Sequence, residues 1–270
     1  SGLLRWVEAD HGLPKGAADE YTQAYNYRYY VTRDPAKRAP FGKPDGYDPR
    51  DFELVGRYVE HLTATIRDDP ARLMKRLRDI FPGWLNSGDY NYQRDSLITM
   101  APLGLSRFYQ DGDWKTRSRV WRQHQDYLSG LHHFLSTDPR VPEAFRRETA
   151  EIGLDRTMHA DTEGWPNQLY VRIARRMRGP YTLTLDDVWN RRQAGDGVGL
   201  ALYGVDTYPV RRFVAVSETG ETGVATEGNM FVGGSHGTGH PYPVPYRCIT
   251  PARGECANLL VPVCFSATYI

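Results

Sequence analysis

Gln168-Leu169-Tyr170-Val171-Arg172-Ile173 is the stretch where the hydrophobic period of the chain changes. Leu169, Val171 and Ile173 alternate with Tyr170 and Arg172, the period-two pattern of a half-buried strand. Upstream, apolar residues recur at three- and four-residue spacing instead. Asp48-Pro49 offers an N-cap followed by proline at the first helical position, and Leu54, Val55, Tyr58, Val59, Leu62 and Ile66 then share one face. Asp69-Pro70 repeats that start ahead of Leu73, Met74, Leu77, Ile80 and Phe81, and a longer stripe runs from Asp113 through Trp121, Leu128, Leu131 and Leu135. These stripes read as core. Downstream, strands are expected over 213–216, 230–232 and 259–265, with the glycine-rich runs 195–199 and 233–239 as turns or places of close backbone approach to a ligand. The pattern predicts an α+β fold, mainly helical over 1–165 and β-rich, mostly antiparallel, over 166–270, the two halves forming one interdependent unit.

Composition narrows the partners. The 270 residues are 40% hydrophobic and 25% charged, as in a globular protein. A net charge of +1 removes the electrostatic case for nucleic acid or an anionic membrane surface. No run approaches the roughly 18 apolar residues of a membrane span, so the chain is expected to be soluble. Its start, Ser1-Gly2-Leu3-Leu4-Arg5, has neither an initiator methionine nor a signal-peptide pattern, which leads us to expect further residues upstream. Cys248, Cys256 and Cys264 are eight residues apart and form no Cys-x-x-Cys pair, so neither a disulfide framework nor a zinc site is expected. Cys264, between Val263 and Phe265, is expected to be a buried thiol.

Common catalytic motifs are missing. Gly195, Gly197 and Gly199 are spaced by two and do not match the dinucleotide fingerprint G-x-G-x-x-G, and no phosphate-binding loop or G-x-S-x-G elbow occurs. His236 and His240 sit four apart, but Gly237-Thr238-Gly239 between them and Pro241 after them argue against a helix, and no metal site is expected. Adjacent His132 and His133 point apart on the predicted helix, one toward the core and one toward solvent. The arginines are more informative. Arg172, Arg175, Arg176 and Arg178 crowd one segment, and Arg28 lies within Tyr25-Asn26-Tyr27-Arg28-Tyr29-Tyr30. Guanidinium beside aromatic rings suits a carboxylated or hydroxylated substrate, through bidentate hydrogen bonds and stacking.

Seven runs, taken in order, carry a resemblance. They are Gln23-Ala24-Tyr25-Asn26-Tyr27-Arg28, Lys43-Pro44-Asp45-Gly46-Tyr47-Asp48-Pro49, Asp138-Pro139-Arg140-Val141-Pro142, and Trp165 through Arg172 with Ala174-Arg175-Arg176. Val244-Pro245-Tyr246-Arg247, Gly254 through Cys264, and Ser266-Ala267 complete the series. From about Gln23 onward the chain resembles the FAD-dependent oxidoreductases, including xanthan-lyase-like and heterodisulfide-reductase-A-like flavoproteins.

The resemblance implies FAD as cofactor and hydride transfer to the flavin from a hydroxylated small molecule, with carbohydrate-derived compounds among the candidates. It makes this chain the substrate-side portion, lacking the N-terminal dinucleotide-binding unit and the C-terminal flavin-binding helix. It implies Arg28, Arg175, Tyr203 and Asp206 as substrate-binding residues, and Arg172, Tyr208 and Tyr269 as catalytic. Asn258, Cys264 and Ser266 would border the flavin, on or just beyond a strand from Asn258 to Cys264. Three positions depart from the family pattern. Asp206-Thr207-Tyr208 stands where Asp-Ser-His is usual, Ser266-Ala267-Thr268-Tyr269 where Ser-Ala-Ser-His is usual, and Ile173 where an acidic residue usually separates the paired arginines. Both expected histidines are therefore tyrosines, whose ordinary pKa of about 10 makes them poorer proton carriers at neutral pH. The alternative is a stand-alone glycan-binding or interaction module without redox activity, motivated by 18 tyrosines and six tryptophans.

Overall fold

Each of the three aspartates placed at a helix start caps one. Asp48 accepts a hydrogen bond from the Arg50 amide, and Pro49 opens a 3-10 turn, Pro49–Phe52, leading into α1 (Glu53–Thr65). Asp69 accepts from the Arg72 amide at the head of α2 (Pro70–Arg78), and Asp113 from the Thr116 amide at the head of α3 (Trp114–Thr137). Each carboxylate satisfies an amide that has no partner within its own helix. Three shorter helices follow, α4 (Glu143–Ala150), α5 (Leu185–Val188) and α6 (Tyr246–Ile249). The strands are β1 (Val31–Thr32), β2 (Arg38–Ala39), β3 (Gly153–Asp155), β4 (Gly197–Ala201), β5 (Val205–Asp206), β6 (Arg211–Val216), β7 (Thr222–Glu227), β8 (Phe231–Val232) and β9 (Tyr242–Pro245). The computed structural model describes residues 2–14, 17–82, 96–232 and 240–268. Every ladder between these strands is antiparallel, and the mixed helix and sheet content is the α+β class.

The chain divides into two units, Ser1–Arg172 with Pro209–Glu227, and Ile173–Tyr208 with Gly228–Ile270. In the first, the helical stripes enclose an aromatic core. Tyr25, Tyr27 and Tyr29 are fully buried, and Tyr27, Tyr29 and Phe41 meet Trp165 with ring centroids 5.5, 6.1 and 5.9 Å apart. Two glycines are required by close approach. A Cβ on Gly130 would lie 2.5 Å from Phe52 Cζ, and one on Gly153 would lie 2.3 Å from the Ala39 carbonyl oxygen across the β2–β3 pairing. The hairpin β6–β7 runs in register from Arg211 opposite Glu227 to Val216 opposite Thr222, and Val214 and Val224 pack on the same core.

The second unit is built from the pairs β4–β9 and β5–β8 with α5 and α6. Its core is small: Leu183, Val188, Tyr242, Cys248 and Ala267. Polar staples do much of the holding. Asp187 is 2% exposed and accepts hydrogen bonds from Arg192, Tyr181 and the Thr184 amide, while Arg247 grips Asp196 through two 3.0 Å hydrogen bonds.

Two expected strands are corrected. The stretch 168–173 makes a single antiparallel bridge, Tyr170 to Asn26. The next pair would be Arg172 with Ala24, but the Ala24 amide donates to the Pro209 carbonyl and its own carbonyl accepts from Arg172 Nε, so the ladder stops. The stretch 259–265 is irregular and largely exposed, with Val263 84% accessible. Pro262 removes a donor from its middle, and the remaining backbone bonds are scattered: the Val261 amide donates to Ile249, and the Cys264 carbonyl accepts from Met177. Cys264 is accordingly exposed, not buried. The buried thiol is Cys248, whose Sγ donates to the Pro245 carbonyl and whose pKa burial pushes up to about 11.

Candidate functional site

The aromatic run near the N-terminus places its arginine by strand-like alternation. Tyr27 and Tyr29 turn into the core, so Arg28 between them is exposed. The bridge between Asn26 and Tyr170 then brings Tyr170 beside it. Arg28 Cζ lies 4.9 Å from the Tyr170 ring centroid and Arg172 Cζ lies 5.0 Å from the same centroid. Arg172 is fixed further by Nε donating to the Ala24 carbonyl at 2.9 Å and Nη2 to Asn26 Oδ1 at 3.5 Å. Of the residues singled out in sequence, Arg28 and Arg172 are thus brought together, with Asn26 and Tyr170 as unforeseen partners. Two guanidiniums sharing one ring form a positive, partly apolar surface suited to an anionic, hydroxylated molecule.

In the second unit, Tyr203 and Asp206 are both exposed, and the Tyr203 hydroxyl donates to Asp206 Oδ2 at 2.6 Å. The Tyr242 hydroxyl donates to the Tyr203 carbonyl at 2.9 Å and fixes the backbone of that pair. Tyr208 is buried, at 4% exposure. Arg175 and Asn258 are exposed, and Asn258 Oδ1 accepts a weak bond from Cys256 Sγ. Ser266 is buried, its hydroxyl 3.0 Å from Thr182 Oγ1 and its amide donating to the Cys248 carbonyl. Tyr269 and the glycine-rich run 233–239, with His236, lie outside the described residues.

One cluster had no sequence signal, because its members are far apart in the chain. His11 faces Asp19 and Glu227, with Nε2 3.7 and 4.0 Å from their carboxylate oxygens. The Leu13 amide donates to His11 Nδ1, which leaves the imidazole proton on Nε2, directed at the carboxylates. Glu227 also accepts from the buried Arg211. His11 is close enough to Asp19 and Glu227 to pair electrostatically but not to hydrogen-bond, and the ligand atoms of the three, all within 4.8 Å of one another, form a cluster that could hold a metal ion.

The family model described as FAD dependent oxidoreductase matches residues 7–270. The chain belongs to that family, and FAD is the family's cofactor. Searches of the curated proteins and of the solved structures returned no match. Among the described residues no helix is long and apolar enough to cross a membrane.

The described residues do not fit the adenosine diphosphate half of FAD. A pyrophosphate cradle needs a parallel βαβ unit with a glycine-rich turn opening a helix. Here every ladder is antiparallel, and Gly197 and Gly199 lie within β4, paired to β9.

Proposed function

We propose that this chain supplies the substrate-holding part of an FAD-dependent oxidoreductase, and that the substrate is a hydroxylated small molecule bearing a carboxylate, of carbohydrate origin such as a uronic acid. The observation that carries the reading is the convergence of Arg28 and Arg172 on Tyr170, in a chain whose family performs flavin chemistry. In that family setting a flavin, when bound, would supply the two-electron acceptor for the substrate. The residues of this chain bind and orient: the guanidiniums neutralise the carboxylate, and the Tyr170 ring holds both of them beside it. In this reading the ADP half of FAD is held by a segment other than those described.

Calorimetric titration with glucuronate and with glucose tests the assignment. The uronate is expected to bind at least about tenfold more tightly, and Arg28→Gln to reduce its affinity by about tenfold, the loss of one charge-assisted contact. Equal binding of both sugars, or no change in Arg28→Gln, contradicts it. The alternative of a glycan-binding module without redox activity draws support from the absence of a pyrophosphate cradle among the described residues. Flavin absorbance in the purified intact protein excludes the module, and its absence removes the redox reading.

A further inference from the structure

A second cleft, of about 260 Å³, opens in the first unit where the chain after β2 passes the C-terminal ends of α3 and α4. Arg38, Lys43, His132 and His133 bring basic groups to it, and Phe41 and Ile152 give it apolar wall. No carboxylate lines it. The first unit elsewhere pairs its arginines with acids, as in Arg78 with Glu148 and Arg140 with both Glu53 and Asp138. Among the described residues neither Arg38 nor Lys43 has such a partner.

Local packing holds each group in place. Arg38 Nη1 donates to the Glu151 carbonyl, and its aliphatic stem lies against Gly153, where a Cβ would meet Arg38 Cγ at 2.4 Å. Lys43 Nζ sits 5.4 Å from the Tyr47 ring centroid, on the backbone turn that follows Gly42 at φ 74°. His132 stacks on Phe41 with centroids 4.7 Å apart, and its Nε2 lies 2.9 and 3.1 Å from the Thr149 and Ile152 carbonyls. Both carbonyls need a donor, so Nε2 carries the proton and Nδ1 is left as an acceptor. Burial pushes His132 down to about 4, and burial together with the charge of Lys43 lowers His133. Near neutral pH the lining is therefore two uncompensated cations, two neutral imidazoles and an aromatic wall.

We propose that this cleft binds a small organic carboxylate, its charge met by Arg38 and Lys43 and its apolar portion lying on the Phe41–His132 stack. Both cations line the cleft with no carboxylate beside them, and an anion bound there supplies the counter-charge. The volume exceeds what an inorganic ion fills, and the stacked rings favour a ligand with an apolar body. The site shares no residue with the Arg28–Tyr170–Arg172 cluster.

The experiment is a titration of the intact protein with benzoate, benzyl alcohol and inorganic phosphate, followed by the imidazole NMR signals of His132 and His133. Benzoate is expected to shift both signals saturably, and benzyl alcohol and phosphate to shift them weakly or not at all. Lys43 is exposed, so Lys43→Ala and Lys43→Glu fold. The first is expected to weaken benzoate by about tenfold, as for one lost charge-assisted contact, and the second to abolish its binding. Arg28→Gln leaves these shifts unchanged. No saturable shift, an equal response to benzyl alcohol, an equal response to phosphate, or unaltered binding in Lys43→Glu each overturns the proposal.

Discussion

The two units solve the problem of folding differently. The first buries a continuous set of aromatic rings, with Phe41 within 6 Å of Tyr29, Phe81, Trp165 and His132. Among the described residues the second has a core cluster of five buried residues and adds Asp187 and Asp196 gripping arginines, while Val198, Leu200 and Leu202 on and beside β4 remain exposed. Apolar contacts carry no titratable charge of their own, so the pH response of each unit is set by the ionisable groups it buries or pairs: neutral histidines in the first, gripped carboxylates in the second. The difference teaches that the two groups of residues singled out for function rest on very different amounts of buried core. The arginines that crowd Tyr170 stand on the rigid aromatic body, and the residues that the family resemblance assigns to the flavin side stand on the unit with little core.

Substitutions in each unit sharpen this contrast. The largest effect is expected for Phe41→Ala, which empties the meeting point of four rings and costs about 3–5 kcal/mol in urea unfolding. A loss below about 1 kcal/mol would mean that the aromatic core does not carry the first unit.

Acid is expected to act next. His124 and His132 are buried and uncharged, each with a pKa lowered from 6.5 to about 4 by desolvation. The unfolded chain takes up their protons first, so the first unit loses stability as pH falls from about 6.5 to about 4, on the order of 3 kcal/mol per histidine. The second unit responds later. Arg247 hydrogen bonding holds the Asp196 carboxyl down to about 2, from an ordinary 3.8, so its contribution is lost only as pH falls through that lower interval. Indole NMR signals of Trp165 and Trp189 report the units separately, and simultaneous loss of both near pH 5 would refute this order.

Asp187→Asn is expected to cost about 2 kcal/mol. It removes the charge that faces Arg192 while leaving the site buried, and the half-exposed arginine keeps the loss below that of a fully buried pair. Thermal unfolding followed at Trp189 measures it. At the small end, Leu200→Ser on the exposed face of β4 is expected to change stability by no more than about 0.5 kcal/mol. A larger loss would show that this face is covered in the working protein.

The helical half was legible because its signals are local. Asp48-Pro49, Asp69-Pro70 and Asp113 each cap within three residues, and the stripes behind them lie on α1, α2 and α3, except that Ile66, Ile80 and Phe81 follow the helix ends. The strands were less so. Alternation over Leu169, Val171 and Ile173 is real, yet a strand needs a partner, and Ala24 had already committed its amide to Pro209 and its carbonyl to the Arg172 side chain. At 259–265 the same alternation was misleading because Pro262 and two unrelated backbone bonds, Val261 to Ile249 and Met177 to Cys264, replace a ladder. Arg28 and Arg172 were readable as a type of residue in an aromatic setting, but their shared ring was not, since Tyr170 reaches Arg28 only through the bridge to Asn26. The basic cleft at Arg38 and Lys43 was hidden for a similar reason, as a residue of β2 and one in the loop after it meet a helix about 90 positions later.

The account rests most directly on Arg28 and Arg172 holding an acidic substrate for flavin chemistry, and anaerobic titration of the intact, flavin-loaded protein tests it. Glucuronate is predicted to bleach the flavin absorbance, glucose to do so far more weakly, and Arg28→Gln to require about tenfold more uronate for the same bleaching. Bleaching by both sugars alike, or bleaching by glucuronate that is unchanged in Arg28→Gln, would contradict the account.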